Sequence, residues 1–318
     1  MNNYSIKCYV VEPSEKLKQT ITNLVNNHKF IVDKGWENGY HIHLRGALEE
    51  ETLENTVSKL KEGVNESVTE FDVNDFVTQY EKIAEVIETS SAFEPILKGN
   101  VTFKVENLIF EKPFEDELYL EMNYIFDSYF CDKYFKENDF YGVLQEAMKF
   151  HLKMEEYEIP GSTHAYNCHL SHYVAFTHGL NEEDRATVDT RFKAKYESDL
   201  KEGLLDFDLT PSTLTENLLK FFHKIRPLVS SKELNFYTPF NRDIIDKKIP
   251  YGSKRHQRTF SKENMYVHLY NEVLIANRWM TNALYKKLLL LGLGNLDRFY
   301  MNYVVSRLTY PEYELYDY

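Results

Sequence analysis

The sequence predicts an α+β protein, with a small ferredoxin-like sheet at the N-terminus and a large helical C-terminal part. Three observations predict it. Apolar and polar residues alternate with period two in short stretches that all lie before residue 111. Two stretches with apolar residues at helical spacing are interleaved with them. Beyond residue 111 the spacing is three and four almost throughout. We expect an α+β part over 1–110 and a mainly helical part over 111–318, packed as one compact unit.

The elements follow in order. Tyr4 to Val11 reads as a strand, with Ile6, Tyr9 and Val11 facing a core. Ser14 caps a helix whose Leu17, Ile21, Leu24 and Val25 share one face. Lys29 to Asp33 and Tyr40 to Arg45 are two further strands, with Gly35 and Gly39 marking the turn between them. Leu48 to Glu62 is a second helix, with Leu53, Val57 and Leu60 on one face and Gly63 as its stop. This β-α-β-β-α order is the front of a split βαβ unit, and Val101 to Phe110 would supply its last strand. Helices are then expected over Phe114 to Lys136, Phe140 to Glu156, Tyr166 to Thr177, Glu182 to Glu202, Ser212 to Ile225, Lys262 to Leu291 and Leu296 to Leu308. Ile159-Pro160-Gly161-Ser162 interrupts the pattern, and Lys232 to Thr259 reads as irregular and locally basic.

Composition narrows the function. The chain has 318 residues, of which 43% are hydrophobic, enough for a sizeable core. It has 24 Tyr and 21 Phe, so that core is rich in rings and partly polar-tipped. The formal net charge of −13 argues against binding nucleic acid by bulk charge. Three scattered cysteines, Cys8, Cys131 and Cys168, fit a reduced compartment better than a disulfide framework. No signal peptide is visible, and the apolar run Leu288 to Leu293 is too short to span a bilayer. We expect a soluble, cytoplasmic protein.

The segment from Gly35 to Arg45 carries the chemistry. His41, His43 and Arg45 alternate with Ile42 and Leu44, so one face of a strand is apolar and the other presents two imidazoles and a guanidinium roughly 7 Å apart. Such a row can hold a carboxylate and move a proton; the bland alternative is a solvent-facing strand edge. His164, Cys168 and His172 are spaced i, i+4, i+8, a pattern zinc can use, but no second ligand cluster accompanies them and we expect no metal. Lys254, Arg255 and Arg258 lie in the one dense basic run, Tyr251 to Arg258, which can meet a peptide carboxylate or remain a solvated loop. Glu111, between a strand and a helix, is a base or a partner for Arg45, or a surface glutamate. There is no phosphate-cradling glycine loop, nucleophile elbow or zinc-protease helix, and no cofactor is expected.

The segment Phe30 to Arg45, with Trp36, Gly39, His41-Ile42 and Leu44-Arg45, resembles the opening of the thiopeptide-type bacteriocin biosynthesis domain. That domain is the glutamate-eliminating C-terminal part of class I lanthipeptide dehydratases; it also occurs alone, and the thiopeptide pyridine synthases share its fold. Further stretches follow in the family's order. They are Phe114 to Tyr129 with Asp127-Ser128, then His169-Leu170-Ser171-His172-Tyr173 with Phe176 and Asp184-Arg185, then Met265 to Leu274 with His268 and Asn271. The departures are specific. Eliminating members usually carry two arginines on the strand; His43 stands where the first would be and Arg45 matches the second. Glu111 to Glu117 replaces an arginine-tyrosine-glycine-glycine segment. Glu272 sits where an arginine is usual, and the spacing from His268 to Asn271 is one residue short.

The resemblance implies a partner, a precursor peptide bearing a leader, and, for the elimination reading, a separate glutamylating dehydratase. It implies one of three roles. The first is elimination of glutamate from glutamylated Ser or Thr, with Arg45 as the cation and His43 or His268 as the base. The second is a [4+2] cycloaddition of two dehydroalanines to a pyridine-type macrocycle with loss of the leader, assisted by Tyr266, His268 and Ser171. The third is a non-catalytic scaffold that binds the leader. His41, Glu111, Ser171, His172, Tyr266, Asn271, Lys254, Arg255 and Arg258 are the expected substrate-binding residues.

Overall fold

The computed structural model describes residues 2–86, 89–106, 110, 112–136, 138–158, 164–238, 252–261, 264–265 and 268–309. The chain divides into two compact units. The first is Met1–Glu137 with Lys286–Gly292; the second is Asn138–Tyr285 with Leu293–Tyr318.

The first unit is the ferredoxin-like part. Its strands are β1 (Asn2–Cys8), β2 (Ile31–Gly35), β3 (His41–Leu48) and β4 (Val101–Val105), in the antiparallel order β2-β3-β1-β4. Helices α1 (Glu15–His28) and α2 (Glu50–Asn65) lie against one face of the sheet. Ile6, Val32, Ile42 and Leu44 from the strands are buried with Leu17, Ile21 and Val25 of α1 and with Val57 and Leu60 of α2. Ser14 caps α1 as expected, accepting from the Leu17 amide at 3.2 Å. Register places Ser5, Lys7, Asp33, His41, His43 and Arg45 together on the opposite, polar face.

Gly63 does not stop α2. It lies inside the helix, where a Cβ would come within 2.8 Å of the Leu17 backbone, so its missing side chain lets α1 and α2 touch. Helix α3 (Val73–Val86) was not anticipated. Its Phe76 and Tyr80 form a ring cluster with Tyr40, Phe71 and Phe93, and Trp36 stacks on Tyr80 with centroids 4.8 Å apart. Trp36 of the family-like segment is thus a packing residue. β4 ends at Val105, five residues before the expected Phe110.

Helix α4 (Pro113–Phe130) belongs to the first unit and ends in a 3-10 turn at Cys131–Lys133, short of the expected Lys136. Its Asp127 closes an open sheet edge. The Val32 amide of β2 donates to Asp127 Oδ2 at 2.9 Å, and Lys287 Nζ donates to the Val32 carbonyl at 2.6 Å and to Asp127 Oδ2 at 2.9 Å. Lys287 also reaches Asp33 Oδ1 at 3.2 Å, and the Tyr134 hydroxyl donates to Asp127 Oδ1. A carboxylate and an ammonium therefore occupy the place a fifth strand would take.

The second unit is helical: α5 (Phe140–Glu155), α6 (His164–His178), α7 (Glu182–Lys201), α8 (Thr213–Ser230), α9 (Lys254–Thr259), α10 (Glu272–Leu288, of which the part before Lys286 lies here) and α11 (Asn295–Thr309). Helices α6 and α11 run against each other, with the Phe176 and Phe299 rings stacked at 3.8 Å. Asp199 of α7 gathers the Tyr141 and Tyr300 hydroxyls and Lys195 Nζ at 2.6–3.0 Å. The expected helix over Lys262 to Leu291 is shorter: Asn271 Oδ1 accepts from the Leu274 amide and caps α10, and the Leu269 carbonyl is taken by Phe236. The stretch Lys232 to Thr259, expected to be irregular, contains α9, capped by Ser253. Residues 159–163 and 239–251 lie outside the described residues. No helix among the described residues is long and apolar enough to cross a membrane.

Lys287 is fully buried, so removing it strands two carboxylates. Lys287→Met should cost about 3–5 kcal/mol in urea unfolding, the usual result of leaving a buried charge without its partner. Burial works against the ammonium, but Asp127 and Asp33 outweigh it and hold its pKa above the ordinary lysine value of 10.5. A raised folded value contributes stability that is complete below pH 10.5 and lost as pH rises through the folded value. The wild type should therefore weaken above pH 10.5 more steeply than Lys287→Met.

Candidate functional site

The polar face of the sheet is built by β3, which places His41, His43 and Arg45 on one side because strand side chains alternate. His41 is fully buried. Its Nδ1–H donates to the Gly39 carbonyl at 2.9 Å, and its Nε2 lies 3.7 Å from Glu37. Gly35 makes room for the ring, since a Cβ there would lie 2.2 Å from His41 Nε2. Burial, aided by the charge of Lys7, pushes the His41 pKa down to about 4.

His43 Nε2 is 2.7 Å from Ser5 Oγ, on the neighbouring strand. Burial and the adjacent Arg45 guanidinium push His43 down to about 2. It is a neutral hydrogen-bonding ring at physiological pH and a weak base. Arg45 is engaged on two sides: Nε faces Glu106 Oε1 at 3.3 Å and Nη1 faces Asp33 Oδ2 at 3.8 Å. Burial opposes the Asp33 carboxylate, but Lys287, Lys286 and Arg45 hold it down at about 2.

Two cations on this side of the first unit escaped sequence reasoning. Lys7 stands opposite His43 in register, is half-buried, and forms no hydrogen bond or ion pair among the described residues. Burial lowers its pKa. Lys286 donates to the Tyr119 hydroxyl and lies 4.6 Å from that ring. In Lys7 a lone lysine within an apolar strand pattern was the available signal.

The remaining expected residues fall in the second unit or outside the described residues. Glu111 and Tyr266 are outside them. His268 is partly exposed, its ring 6.5 Å from Phe260. Asn271 is occupied as the cap of α10. Glu272, which stands where the family has an arginine, pairs with Arg226 at 2.6 Å. His172 is half-buried against the Tyr285 ring at 4.9 Å, and desolvation and Arg298 push it down to about 4. Lys254 and Arg258 are exposed on α9 and Arg255 is half-buried. The Cys168 thiol is buried and pushed up to about 12, and no group of three metal-binding side chains converges among the described residues.

Ser171 has a partner that the sequence did not suggest. His256 Nε2 lies 2.7 Å from Ser171 Oγ, and His256 Nδ1 lies 2.7 Å from Ser253 Oγ. His256 sits within the basic run, where its neighbours' charges drew attention away from it. The one signal was the spacing Ser253-x-x-His256, which puts a helix cap and an imidazole side by side.

No protein-family model matches the chain, and no curated protein matches it in sequence. Solved structures share its fold. A pyridine synthase, TbtD, from thiomuracin biosynthesis superposes with a TM-score of 0.65 at 12% identity, over 98% of this chain and 99% of that chain. TsrL superposes with a TM-score of 0.54 at 13% identity, over 98% of this chain and 95% of that chain.

The electrostatics make a prediction for the imidazoles. In histidine-labelled protein followed by NMR, neither His41 nor His43 should protonate between pH 7.5 and 5. Arg45→Ala removes the second cause of the His43 shift and should move that pKa upward. Titration of wild-type His43 near 6.5 would show that water, not protein, surrounds the ring.

Proposed function

We propose that this chain modifies a ribosomally made peptide that carries a leader. The observation that carries the reading is the end-to-end likeness of fold to a pyridine synthase, which covers both chains almost completely. The polar face of the sheet supports it: a row of neutral imidazoles, an anchored guanidinium and a half-buried lysine is suited to orienting a polar backbone.

Two reactions fit that reading. In elimination, a base removes the α-proton of a glutamylated Ser or Thr, the electron pair forms the Cα=Cβ bond, and the Cβ–O bond breaks to release glutamate. The departing carboxylate needs a cation. Arg45 already faces Glu106 and Asp33, so Lys7 is the better placed charge on this face. In cycloaddition, two dehydroalanines join, then water and the leader depart. That step asks chiefly for positioning and hydrogen bonding. The neutral state of His43 and the prior engagement of Arg45 favour this second reaction.

The test is co-expression with a leader-bearing precursor, read by mass spectrometry. Loss of a glutamyl adduct to leave a dehydrated residue supports elimination. Loss of the whole leader supports cycloaddition. A precursor that is bound but unchanged in mass supports a scaffold. Arg45→Ala leaves Asp33 and Glu106 without that guanidinium on the polar face and should slow processing roughly ten- to a hundredfold, the scale of about 1.5–3 kcal/mol for one charge-assisted contact. Arg45→Lys keeps the charge but loses the planar fork and should also be slower. Wild-type rates in both Arg45→Ala and His43→Ala would make the strand structural only.

A further inference from the structure

Ser253, His256 and Ser171 form a continuous hydrogen-bonded line in the second unit, hydroxyl to imidazole to hydroxyl, with both contacts at 2.7 Å. Ser253 is buried and fixed, because its Oγ also accepts from the His256 amide as the cap of α9. Ser171 and His256 are both partly exposed, so the outer end of the line can be reached. The Phe260 ring lies 6.1 Å from His256 and 5.1 Å from Phe236, giving the line an apolar wall.

A Ser–His contact suggests a nucleophile, but the backbone argues otherwise. Ser171 sits in the middle of α6, where neighbouring amides are committed to helical hydrogen bonds. Within α6 the amides next to Ser171 are therefore not free to stabilise a tetrahedral oxyanion, the main stabilising element of acyl transfer. Proton transfer needs no such hole. It needs a group in contact with substrate and a partner able to take and return a proton.

We propose that Ser171 and His256 are the acid–base pair of the peptide-modifying reaction, with Ser171 touching the substrate and His256 acting through it as a positioning residue. The proposal rests on the peptide-modification reading. In the forward direction Ser171 Oγ takes the substrate proton while its own proton passes to His256 Nε2, leaving an imidazolium whose Nδ1–H is held by Ser253. The substrate keeps the electron pair for its new double bond or tautomer. The imidazolium then returns its proton through Ser171 to a departing oxygen, or loses it to solvent.

The charged and titratable groups around His256 are Arg255, His178 and His172, and burial with the Arg255 charge lowers its pKa below the ordinary 6.5. His256 is therefore neutral at physiological pH and able to accept a proton. The rate should rise with pH through a value below 6.5 and level off by neutrality.

The experiment compares wild type, Ser171→Ala, Ser171→Thr and His256→Gln on a co-expressed precursor, with initial rates on the purified peptide from pH 5 to 8. Ser171→Ala and His256→Gln should each lose roughly a hundredfold or more in rate. Ser171→Thr keeps the hydroxyl and should recover most of the activity, which a packing role would not predict. His256→Gln should also lose the acidic limb. If His256→Gln fails to fold, His256→Ala with added imidazole replaces it, and rescue by imidazole is the expected result. Wild-type rates in Ser171→Ala and His256→Gln, with an unchanged pH profile, overturn the proposal and leave the peptide-modification reading intact. A wild type that alters no precursor overturns that reading, and the proposal with it.

Discussion

The first unit depends on a buried ammonium. Strand β2 is an edge of the sheet, and its Val32 amide and carbonyl point away from β3 with no strand to meet them. Asp127 accepts from that amide and Lys287 donates to that carbonyl, so two side chains reproduce the donor and acceptor pattern of a missing neighbour. The same ammonium holds Asp33, the next residue on the strand, as a carboxylate. Asp33 in turn faces Arg45. A chain of ionic contacts thus runs from the sheet edge inward to Arg45, through one lysine supplied by the distant segment Lys286–Gly292.

That lysine shows what the sequence could and could not reveal. The four strands and both covering helices were legible because burial on one face forces period two or period three-and-four, and each pattern needs only local residues. Lys287 carried no such signal. Its partner Asp127 lies 160 positions away, and the surrounding leucines made the segment read as one long helix. Gly63 was misread for a related reason: glycine after an apolar face marks a helix stop or a close approach, and only the position of Leu17 decides between them. At the site, the row His41, His43 and Arg45 was legible from alternation alone. Its charge state was not, because Asp33 and Lys7 come from other strands and Glu106 from the residue after β4.

Charge is distributed against the average of the molecule. The chain carries a formal −13, yet the polar face of its sheet gathers Lys7 and Arg45, with Lys286 and Lys287 nearby in the same unit. Three of these four are answered: Arg45 and Lys287 by carboxylates, Lys286 by the Tyr119 hydroxyl. Lys7 is the exception, half-buried and unanswered. Burial lowers its pKa, and the charges of Glu37 and Glu106 offset part of that cost.

The two histidine environments divide the chemistry. His43 sits beside a guanidinium, and a proton arriving there would meet like charge at once; its pKa of about 2 expresses that cost. Such a ring orients through hydrogen bonds and does not trade protons near neutral pH. His256 sits between two hydroxyls, which stabilise an imidazolium as readily as a neutral ring. Burial and the charge of Arg255, on the same short helix, lower its pKa. The first unit thus presents imidazoles that burial and neighbouring cations keep neutral, and the second unit an imidazole bounded by two hydroxyls.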